Sequence, residues 1–284
     1  MSTPTYRLLI ACRDTTGIVG EVAGYLASVG ANIVDLEQHV DAQRLEFSMR
    51  VEFTYDGAVD DEPFADGWAD IARRHAMQCR FGSTHLPKRV AILAGPSSHC
   101  LADLLYRCSS GDIDANVVGV ISNHDRHGPL VAHHEVHFHH APVVSSDRLE
   151  HERTIEAMLD DLRPDLVVLA RYMRVLSPAF VDRWDRRMIN IHHSFLPAFV
   201  GADPYRQAFE RGVKVIGATA HFVTQDLDEG PIIAQAVRDV AHHDTVDDLK
   251  RKGRDLERIV LAEAVRKWVE DKILVRANRT VVFR

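Results

Sequence analysis

The chain has 284 residues, of which 46% are hydrophobic and 26% are charged, a composition typical of a globular protein. Its net charge of −7 argues against a protein whose main task is to bind nucleic acid, because phosphate binding requires clustered Lys and Arg. No apolar run approaches the roughly 20 residues of a membrane-spanning helix. The N-terminus lacks the pattern of a signal peptide, and the four cysteines are widely spaced, so we expect a cytoplasmic protein with reduced thiols.

Residues 1–84 follow the pattern of a small α/β domain. The apolar run Tyr6–Ala11 predicts a strand, the apolar positions of Ile18–Leu26 recur at helical spacing, and Gly30 is suited to end that helix. The elements predicted next are strand, strand, helix and strand, over Asn32–Val40, Leu45–Phe53, Phe64–Ala76 and Gln78–Phe81. The order βαββαβ predicts a ferredoxin-like sandwich.

The first turn of this domain and the start of its second strand resemble the ACT domain, a regulatory module that often pairs with another copy and binds a small ligand, commonly an amino acid. The residues that carry the resemblance are Asp14, Thr16, Gly17, Ile18, Val19 and Gly30–Ile33. It implies a homo-oligomer and an amino-acid effector site formed by Asp14, Thr16, Gly17, Ile18 and Asn32. A domain that only joins subunits is an equally good interpretation, because glycine at a strand-to-helix turn is common for backbone reasons alone.

Residues 85–284 alternate between strands and helices, and their first residues belong to a short linker, Gly82–Lys88. Strands are predicted over Arg89–Ala94, Ala115–Ile121, Asp165–Ala170, Met188–Ile191 and Lys214–Val223. Helices are predicted over Cys100–Cys108, Arg148–Leu162 and Thr245–Trp268, with a further helix start at Ser177-Pro178 and a closing hairpin over Lys272–Phe283. This alternation predicts a Rossmann-like α/β domain with a mostly parallel, doubly wound sheet.

Two segments of the second domain carry side chains suited to chemistry at a carbonyl group. Asn190 and His192 are two residues apart on a predicted strand, so they project from the same face. Asp228 lies in the acidic loop that follows the next strand. An amide and an imidazole can stabilise an oxyanion, and a carboxylate can relay a proton. No G-x-S-x-G motif is present, which disfavours a covalent route.

The same two segments resemble the formyltransferase family, whose members use 10-formyltetrahydrofolate. Asn190, His192, Ser194 and Leu196-Pro197 match its N-x-H-x-S-x-L-P signature, and His221–Pro231 is similar to its second signature. The resemblance implies that Asn190, His192 and Asp228 form the catalytic trio. Leu169–Pro178 is similar to the segment in which the family binds the pterin ring. The residues implied for folate binding are Met173, Arg174, Val175, Leu176, Gln225, Asp226 and Leu227.

Within this family the chain is similar to the formyltetrahydrofolate deformylases, which join an ACT domain to the catalytic domain. The resemblance implies hydrolysis of 10-formyltetrahydrofolate to formate and tetrahydrofolate, which supplies formate for purine synthesis and balances the folate pool. Gly95–Cys100 departs from the loop that glycinamide ribonucleotide formyltransferases use for substrate phosphate, and no basic C-terminal domain follows, so water is the expected nucleophile. Transfer to an amine acceptor is the alternative, and a catalytically inactive folate- or amino-acid-binding regulator is a second one.

Histidines elsewhere in the chain raise two further questions. His133–His140 contains five histidines, but alternation along a strand would divide them between two faces, and no cysteine completes a tight site. We therefore predict no metal and no cofactor beyond the folate substrate. His193 is either a second catalytic imidazole that tunes His192 or a hydrogen-bonded structural residue.

Overall fold

The computed structural model describes residues 3–143, 148–197 and 204–284, which divide into two compact units. The first unit contains the chain up to Pro87 together with Asp271–Arg276 and Val281–Arg284. The second unit contains Lys88–Glu270 and Ala277–Thr280. The chain therefore returns to its first unit at the C-terminus.

The first unit has the predicted order βαββαβ. Its elements are β1 (Thr5–Arg13), α1 (Ile18–Ser28), β2 (Asn32–Asp41), β3 (Glu46–Thr54), α2 (Glu62–Arg74) and β4 (Gln78–Ser83). The strands form an antiparallel sheet in the order β2-β3-β1-β4. Alternate side chains of β1 and β3 bury against Ile18, Val22 and Leu26 of α1, so the apolar spacing seen in the sequence becomes the core of this unit.

Two glycines mark the ends of α1. Gly17 precedes the helix with φ 98°, and Gly30 follows it with φ 80°, both in the left-handed region that favours glycine. The turn at Gly17 lets β1 pass directly into the helix, and Gly30 ends the helix as predicted.

The C-terminal hairpin differs from the predicted division at residues 84 and 85. It consists of β12 (Ile273–Arg276) and β13 (Arg279–Val282). Leu274 and Phe283 pack with Leu9 and Ala11 of β1 in a buried cluster within the first unit. The prediction of 85–284 as one domain is therefore corrected, because the apolar residues of this hairpin are buried on the first sheet.

The second unit is an α/β domain around a seven-stranded sheet. Its elements are β5 (Lys88–Ala94), α3 (His99–Ser109), β6 (Ala115–Ser122), α4 (Gly128–His133), β7 (Phe138–His140), α5 (Arg148–Leu162), β8 (Leu166–Ala170), α6 (Pro178–Arg183), β9 (Met188–His192), α7 (Pro204–Arg211), β10 (Val215–Phe222), β11 (Ile232–Asp239) and α8 (Val246–Val269). The sheet order is β11-β10-β9-β8-β5-β6-β7. The five strands from β9 to β7 in this order are parallel, whereas β10 and β11 are antiparallel to their neighbours.

The central strands of this sheet are buried on both faces, as the predicted doubly wound arrangement requires. Leu93 of β5 and Leu169 of β8 pack with Ile155 of α5 and Phe180 of α6, while the alternate residues of the same strands are also buried. The long helix α8 packs against α3 and the strands β9 to β11. Its start is set by a capping box between Thr245 and Asp248. No helix within the described ranges is long and apolar enough to cross a membrane.

Candidate active site

The second unit contains an open cleft of about 360 Å³ bordered by the ends of β8 and β9 and by the loop after β10. This volume is within the range of pockets that bind small organic ligands. The lining residues include all three members of the predicted trio and six of the seven predicted folate-binding residues, namely Asn190, His192, Asp228, Met173, Arg174, Val175, Leu176, Gln225 and Leu227.

The pairing of β9 with β10 brings two of the predicted catalytic side chains together with His221. The strands are antiparallel, with Asn190 opposite His221 and His192 two residues further along β9. The Nδ1 atom of His221 lies 2.8 Å from the carbonyl oxygen of Phe222 and donates to it, so Nε2 accepts from the amide of Asn190 at 3.2 Å. The sheet register therefore fixes three polar side chains on one face.

Asp228 reaches these side chains from a tight loop between β10 and β11. Its backbone has φ 59°, and Gly230 follows where an added Cβ would lie 1.8 Å from the carbonyl oxygen of Phe222. Only glycine permits that close approach, which turns the loop back toward the sheet. One carboxylate oxygen of Asp228 lies 3.1 Å from Nδ1 of His192, and the other lies 3.6 Å from Nε2 of His221.

The electrostatics of this group keep Asp228 ionised. Burial alone would raise the pKa of the Asp228 carboxyl, but the hydrogen bond from His192 and the nearby imidazole of His221 outweigh burial and hold that pKa well below its usual range. The other ring nitrogen of His192, Nε2, is buried and has no hydrogen-bond partner among the described residues. A buried polar atom without a partner is costly, so this nitrogen is suited to bind a group of the substrate.

A second part of the cleft is a turn that follows β8. Glu152 of α5 is buried and accepts a hydrogen bond from the backbone N–H of Ser177 at 2.8 Å, which anchors this turn. Met173, Val175 and Leu227 line the cleft although each is exposed by more than half its surface. Exposed apolar side chains around a polar centre are typical of a binding site for a flat organic ligand.

His193 and a group of buried and half-buried residues lie next to His192. Burial, followed by the positive charge of Arg171, lowers the pKa of His193 to about 4, so this imidazole is neutral at physiological pH. Glu257 of α8 accepts hydrogen bonds from His99 and from the hydroxyl of Tyr205, each at 2.7 Å. Arg171 lies 3.5 Å from the same carboxylate. Of these residues, only His193 was predicted from the sequence as a possible catalytic group, because nothing in the spacing of the others indicates that they meet.

The other predicted site residues differ in their exposure and in whether they line a cleft. Asp226 does not line the cleft, and its backbone carbonyl oxygen accepts hydrogen bonds within the loop. In the first unit Thr16, Gly17 and Asn32 are exposed and Asp14 is half-buried. Ile18 is 2% exposed and belongs to the core, so its side chain is not available to an effector. The first turn of α1 directs this side chain into the sheet, and the effector site stays a prediction.

Among the described residues, one group of side chains has ligand atoms close enough together for a metal ion. Ligand atoms of His99, Cys100 and Glu257 lie within 4.8 Å of one another. However, Glu257 is already paired with His99 and with the guanidinium of Arg171. A second positive charge would therefore be repelled at this position. The prediction that the protein needs no metal stays a prediction.

The family of the chain follows from comparison with known proteins. Residues 88–265 match the family model described as formyl transferase, which includes the cleft and every residue of the trio. The chain belongs to this family of formyl transferase domains.

The similarity extends beyond that domain. The chain is 47% identical over 280 residues to a formyltetrahydrofolate deformylase of Mycobacterium tuberculosis, covering 98% of this chain and 90% of the relative. The crystal structure of a formyltetrahydrofolate deformylase from Pseudomonas syringae has a TM-score of 0.95 at 42% identity and covers 100% of this chain and 96% of its own. Within the family, the chain belongs to the formyltetrahydrofolate deformylases.

The chain is also similar to a solved structure that is described as a different enzyme, a transformylase. The structure of glycinamide ribonucleotide transformylase 1 from Symbiobacterium toebii has a TM-score of 0.67 at 35% identity, and it covers 71% of this chain and 97% of its own. The same catalytic fold therefore occurs in a transferase.

Proposed function

We propose that the protein hydrolyses 10-formyltetrahydrofolate with water and releases formate and tetrahydrofolate. The observation that supports this most directly is the convergence of Asn190, His192 and Asp228 in one cleft, in a chain similar over its whole length to formyltetrahydrofolate deformylases. The reaction supplies formate for purine synthesis and returns tetrahydrofolate to the one-carbon pool.

In the proposed arrangement the folate ring lies against the turn containing Met173–Leu176, with Gln225 and Leu227 on the other side. This places the formyl group at the inner end of the cleft, beside the catalytic trio. The backbone around Met173 to Leu176 offers N–H and C=O groups to the edge of a heteroaromatic ring, and the exposed apolar side chains cover its faces. Arg174 also lines the cleft and adds a positive charge on the folate side.

Water attacks the formyl carbon and forms a tetrahedral intermediate. The amide N–H of Asn190 and an N–H on Nε2 of His192 are assigned to donate to its oxyanion, because Nε2 is buried and has no partner among the residues that the structure describes. Asp228 orients the water and holds the imidazole through Nδ1. The bond to N10 then breaks, the proton from the attacking water passes to N10, and formate leaves.

The low pKa of Asp228 refines its role. A carboxylate that is difficult to protonate is a weak base by itself, since a general base works best when its pKa is near the working pH. We therefore assign proton transfer to the hydrogen-bonded pair of Asp228 and His192 together. The carboxylate supplies the charge and the orientation, and the imidazole shares the proton during the step.

The test is an amine-free assay with purified protein and 10-formyltetrahydrofolate, in which formate and tetrahydrofolate are measured together. Equal release of both products is expected.

Asp228→Asn removes the charge but keeps the shape, so we expect unchanged folate binding and a loss of turnover of about 10²–10⁴-fold. Near-normal turnover in the variant would remove Asp228 from its assigned role. Release only after an amine is added would assign the protein to the transferases instead.

For the first unit we propose an ACT-like regulatory function, in which an amino acid binds and copies of the chain form a homo-oligomer. The order of its strands and the exposed positions of Thr16 and Asn32 support this proposal. The four free cysteines support a reducing, cytoplasmic location. Titration of the protein with single amino acids, followed by calorimetry and light scattering, tests both parts. Absence of binding combined with a monomeric mass would contradict them.

A further inference from the structure

We propose that a wall of buried and half-buried side chains around His193 selects water as the nucleophile by excluding amine acceptors from the inner end of the cleft. The wall consists of His99, Arg171, His193, Tyr205 and Glu257, and we call it the Glu257 wall. The inference rests on the proposed hydrolysis, because it explains which nucleophile that same site accepts.

The fold alone does not decide between water and an amine. The second unit shares its architecture with a glycinamide ribonucleotide transformylase at a TM-score of 0.67. A nucleophile must reach the formyl carbon from the side of the cleft that the folate leaves open. Folate is assigned to the side of Met173–Leu176 and Leu227, and the lining residues beside the trio are Arg171 and His193. Both of these residues belong to the Glu257 wall.

Arg171 occupies a backbone position that suits glycine better than arginine. Its φ is 58°, in the left-handed region, which costs free energy for a residue with a long side chain. Its carbonyl oxygen lies where an added Cβ on Gly95 would come within 1.6 Å, so the ends of β5 and β8 are held tightly together. The strained backbone therefore fixes the direction in which the arginine side chain leaves the strand.

The guanidinium of Arg171 is enclosed but incompletely paired. Its Nε lies 3.5 Å from Glu257, and both Nε and Nη1 are buried without a hydrogen-bond partner in the part of the chain that the structure describes. Buried polar groups without partners are uncommon and costly. A strained backbone and an underpaired charge at one residue indicate that the position is kept for function and not for stability.

The remaining members hold this side chain in place. Glu257 is 1% exposed, and its carboxylate accepts hydrogen bonds from His99 and Tyr205. Burial alone would raise the pKa of Glu257, but the hydrogen bond from His99 and the charge of Arg171 lower it, so Glu257 carries the charge that retains Arg171. Tyr205 passes so close to α8 that an added Cβ on Gly253 would lie 2.0 Å from its hydroxyl oxygen. The Glu257 wall thus combines side chains from the helices α3, α7 and α8 with one residue after β8 and one after β9.

An amine acceptor would have to displace this packed group, whereas water is small enough to enter beside it. If an amine did enter, its nitrogen would attack the formyl carbon, the bond to N10 would break and the amine proton would pass to N10. The chemistry of the trio is compatible with either nucleophile. Exclusion of the acceptor is therefore the step at which the Glu257 wall acts.

The test compares two fates of the formyl group in the presence of glycinamide: free formate and N-formylglycinamide, both measured by mass spectrometry. Arg171→Gly removes the guanidinium and suits the left-handed backbone. We expect its ratio of N-formylglycinamide to formate to exceed the wild-type ratio by about tenfold or more. Arg186→Gly is the matched control, because Arg186 also has a positive φ, 56°, but does not line the cleft. Its product ratio should equal that of the wild type.

An active Arg171→Gly enzyme with the wild-type ratio would overturn the proposal, and so would a wild type that already formylates glycinamide. A folded variant that loses turnover altogether would also overturn it, since Arg171 would then be needed for hydrolysis itself. If Arg171→Gly does not fold, Tyr205→Ala opens the same wall from α7, and its ratio decides by the same criteria. Failure of the proposed function is distinct: the wild type would then release no formate without an amine.

Discussion

His193 and Asp228 both interact with His192, and their pKa values are lowered for different reasons. For His193 the cause is burial, which disfavours the charged imidazole and lowers its pKa to about 4. For Asp228 burial acts in the opposite direction, and the two imidazoles of His192 and His221 beside the carboxylate outweigh it. The site at neutral pH therefore contains one fixed negative charge and one imidazole that stays neutral. This favours a structural role for His193, as a member of the wall, over the role of a second proton carrier.

The shift at His193 has a consequence for stability. The folded protein keeps His193 neutral down to pH of about 4, whereas in the unfolded chain it binds a proton below about 6.5. Stability rises with pH wherever the unfolded state binds more protons, so this residue lowers the free energy of unfolding by about 1.4 kcal/mol per pH unit between these values. The loss is complete below pH of about 4 and absent above 6.5.

His193→Asn removes this pH-dependent loss in the free energy of unfolding. The variant should therefore lose less stability in acid than the wild type does. Between pH 7.5 and pH 5, we expect the free energy of unfolding of the wild type to fall by about 2 kcal/mol more than that of the variant. Urea unfolding at both pH values, followed by circular dichroism, measures the difference. A parallel decline of the two proteins would show that His193 is not held neutral in the fold.

At the residue scale the sequence predicted the trio but not the contacts of its members. Asn190, His192 and Asp228 could be named because they occur in recognisable signatures. The hydrogen bond between Asn190 and His221 depends on the register of β9 with β10, which a single sequence does not specify. The Glu257 wall was not predicted for the same reason: Arg171 and Glu257 are far apart in the chain and meet only through packing.

At the element scale the strongly periodic segments were predicted with little error at their ends. The prediction of α5 over Arg148–Leu162 agrees with the structure, and Ser177 caps α6 as expected. Within the described ranges, the elements α4, β7, α7 and β11 and the 3-10 turn Asp125–His127 were not predicted. β7 has only three residues within the histidine-rich segment, too few for any periodicity. The direction of β10, antiparallel to β9, was also beyond the pattern, because direction depends on how the chain crosses between strands.

The junction of β5 with β8 gives a prediction at this scale. In Gly95→Ala the new Cβ would meet the carbonyl oxygen of Arg171 at 1.6 Å, and backbone atoms cannot rotate away. The strand ends must separate, so we expect a loss of about 3 kcal/mol in the free energy of unfolding, together with weaker folate binding.

Gly24→Ala is the matched control, because Gly24 lies exposed within α1 and an added Cβ there would meet no atom within 4 Å. It should stabilise the protein by about 0.5–1 kcal/mol. Urea unfolding and folate titration measure both variants, and equal stability of the two would contradict the clash.

At the scale of the whole molecule, the chain does not divide at one point. The linker Gly82–Lys88 was recognised from its composition, and the boundary lies within it, after Pro87. The return of Asp271–Arg276 and Val281–Arg284 to the first unit leaves no mark in the sequence, because a hairpin with apolar residues can cover either sheet. What decides its position is the apolar surface of β1 formed by Leu9 and Ala11, which faces away from the two helices and requires a cover.

This arrangement makes the stability of the first unit depend on the last residues of the chain. Leu274 is 7% exposed and packs with Leu9, Ala11 and Phe283, so Leu274→Ala leaves a cavity in that cluster. We expect the free energy of unfolding of the first unit to fall by about 2–4 kcal/mol, as is usual when a buried leucine is truncated.

Leu86→Ala is the matched control, because it is the same substitution at a side chain 78% exposed in the same unit. It should change the free energy of unfolding by less than about 0.5 kcal/mol. Formate release should keep the wild-type rate where the variant is still folded, because no residue assigned to catalysis lies in the first unit. Thermal unfolding with limited proteolysis of the first unit measures the effect, and equal behaviour of the two variants would mean that the hairpin does not support the first sheet.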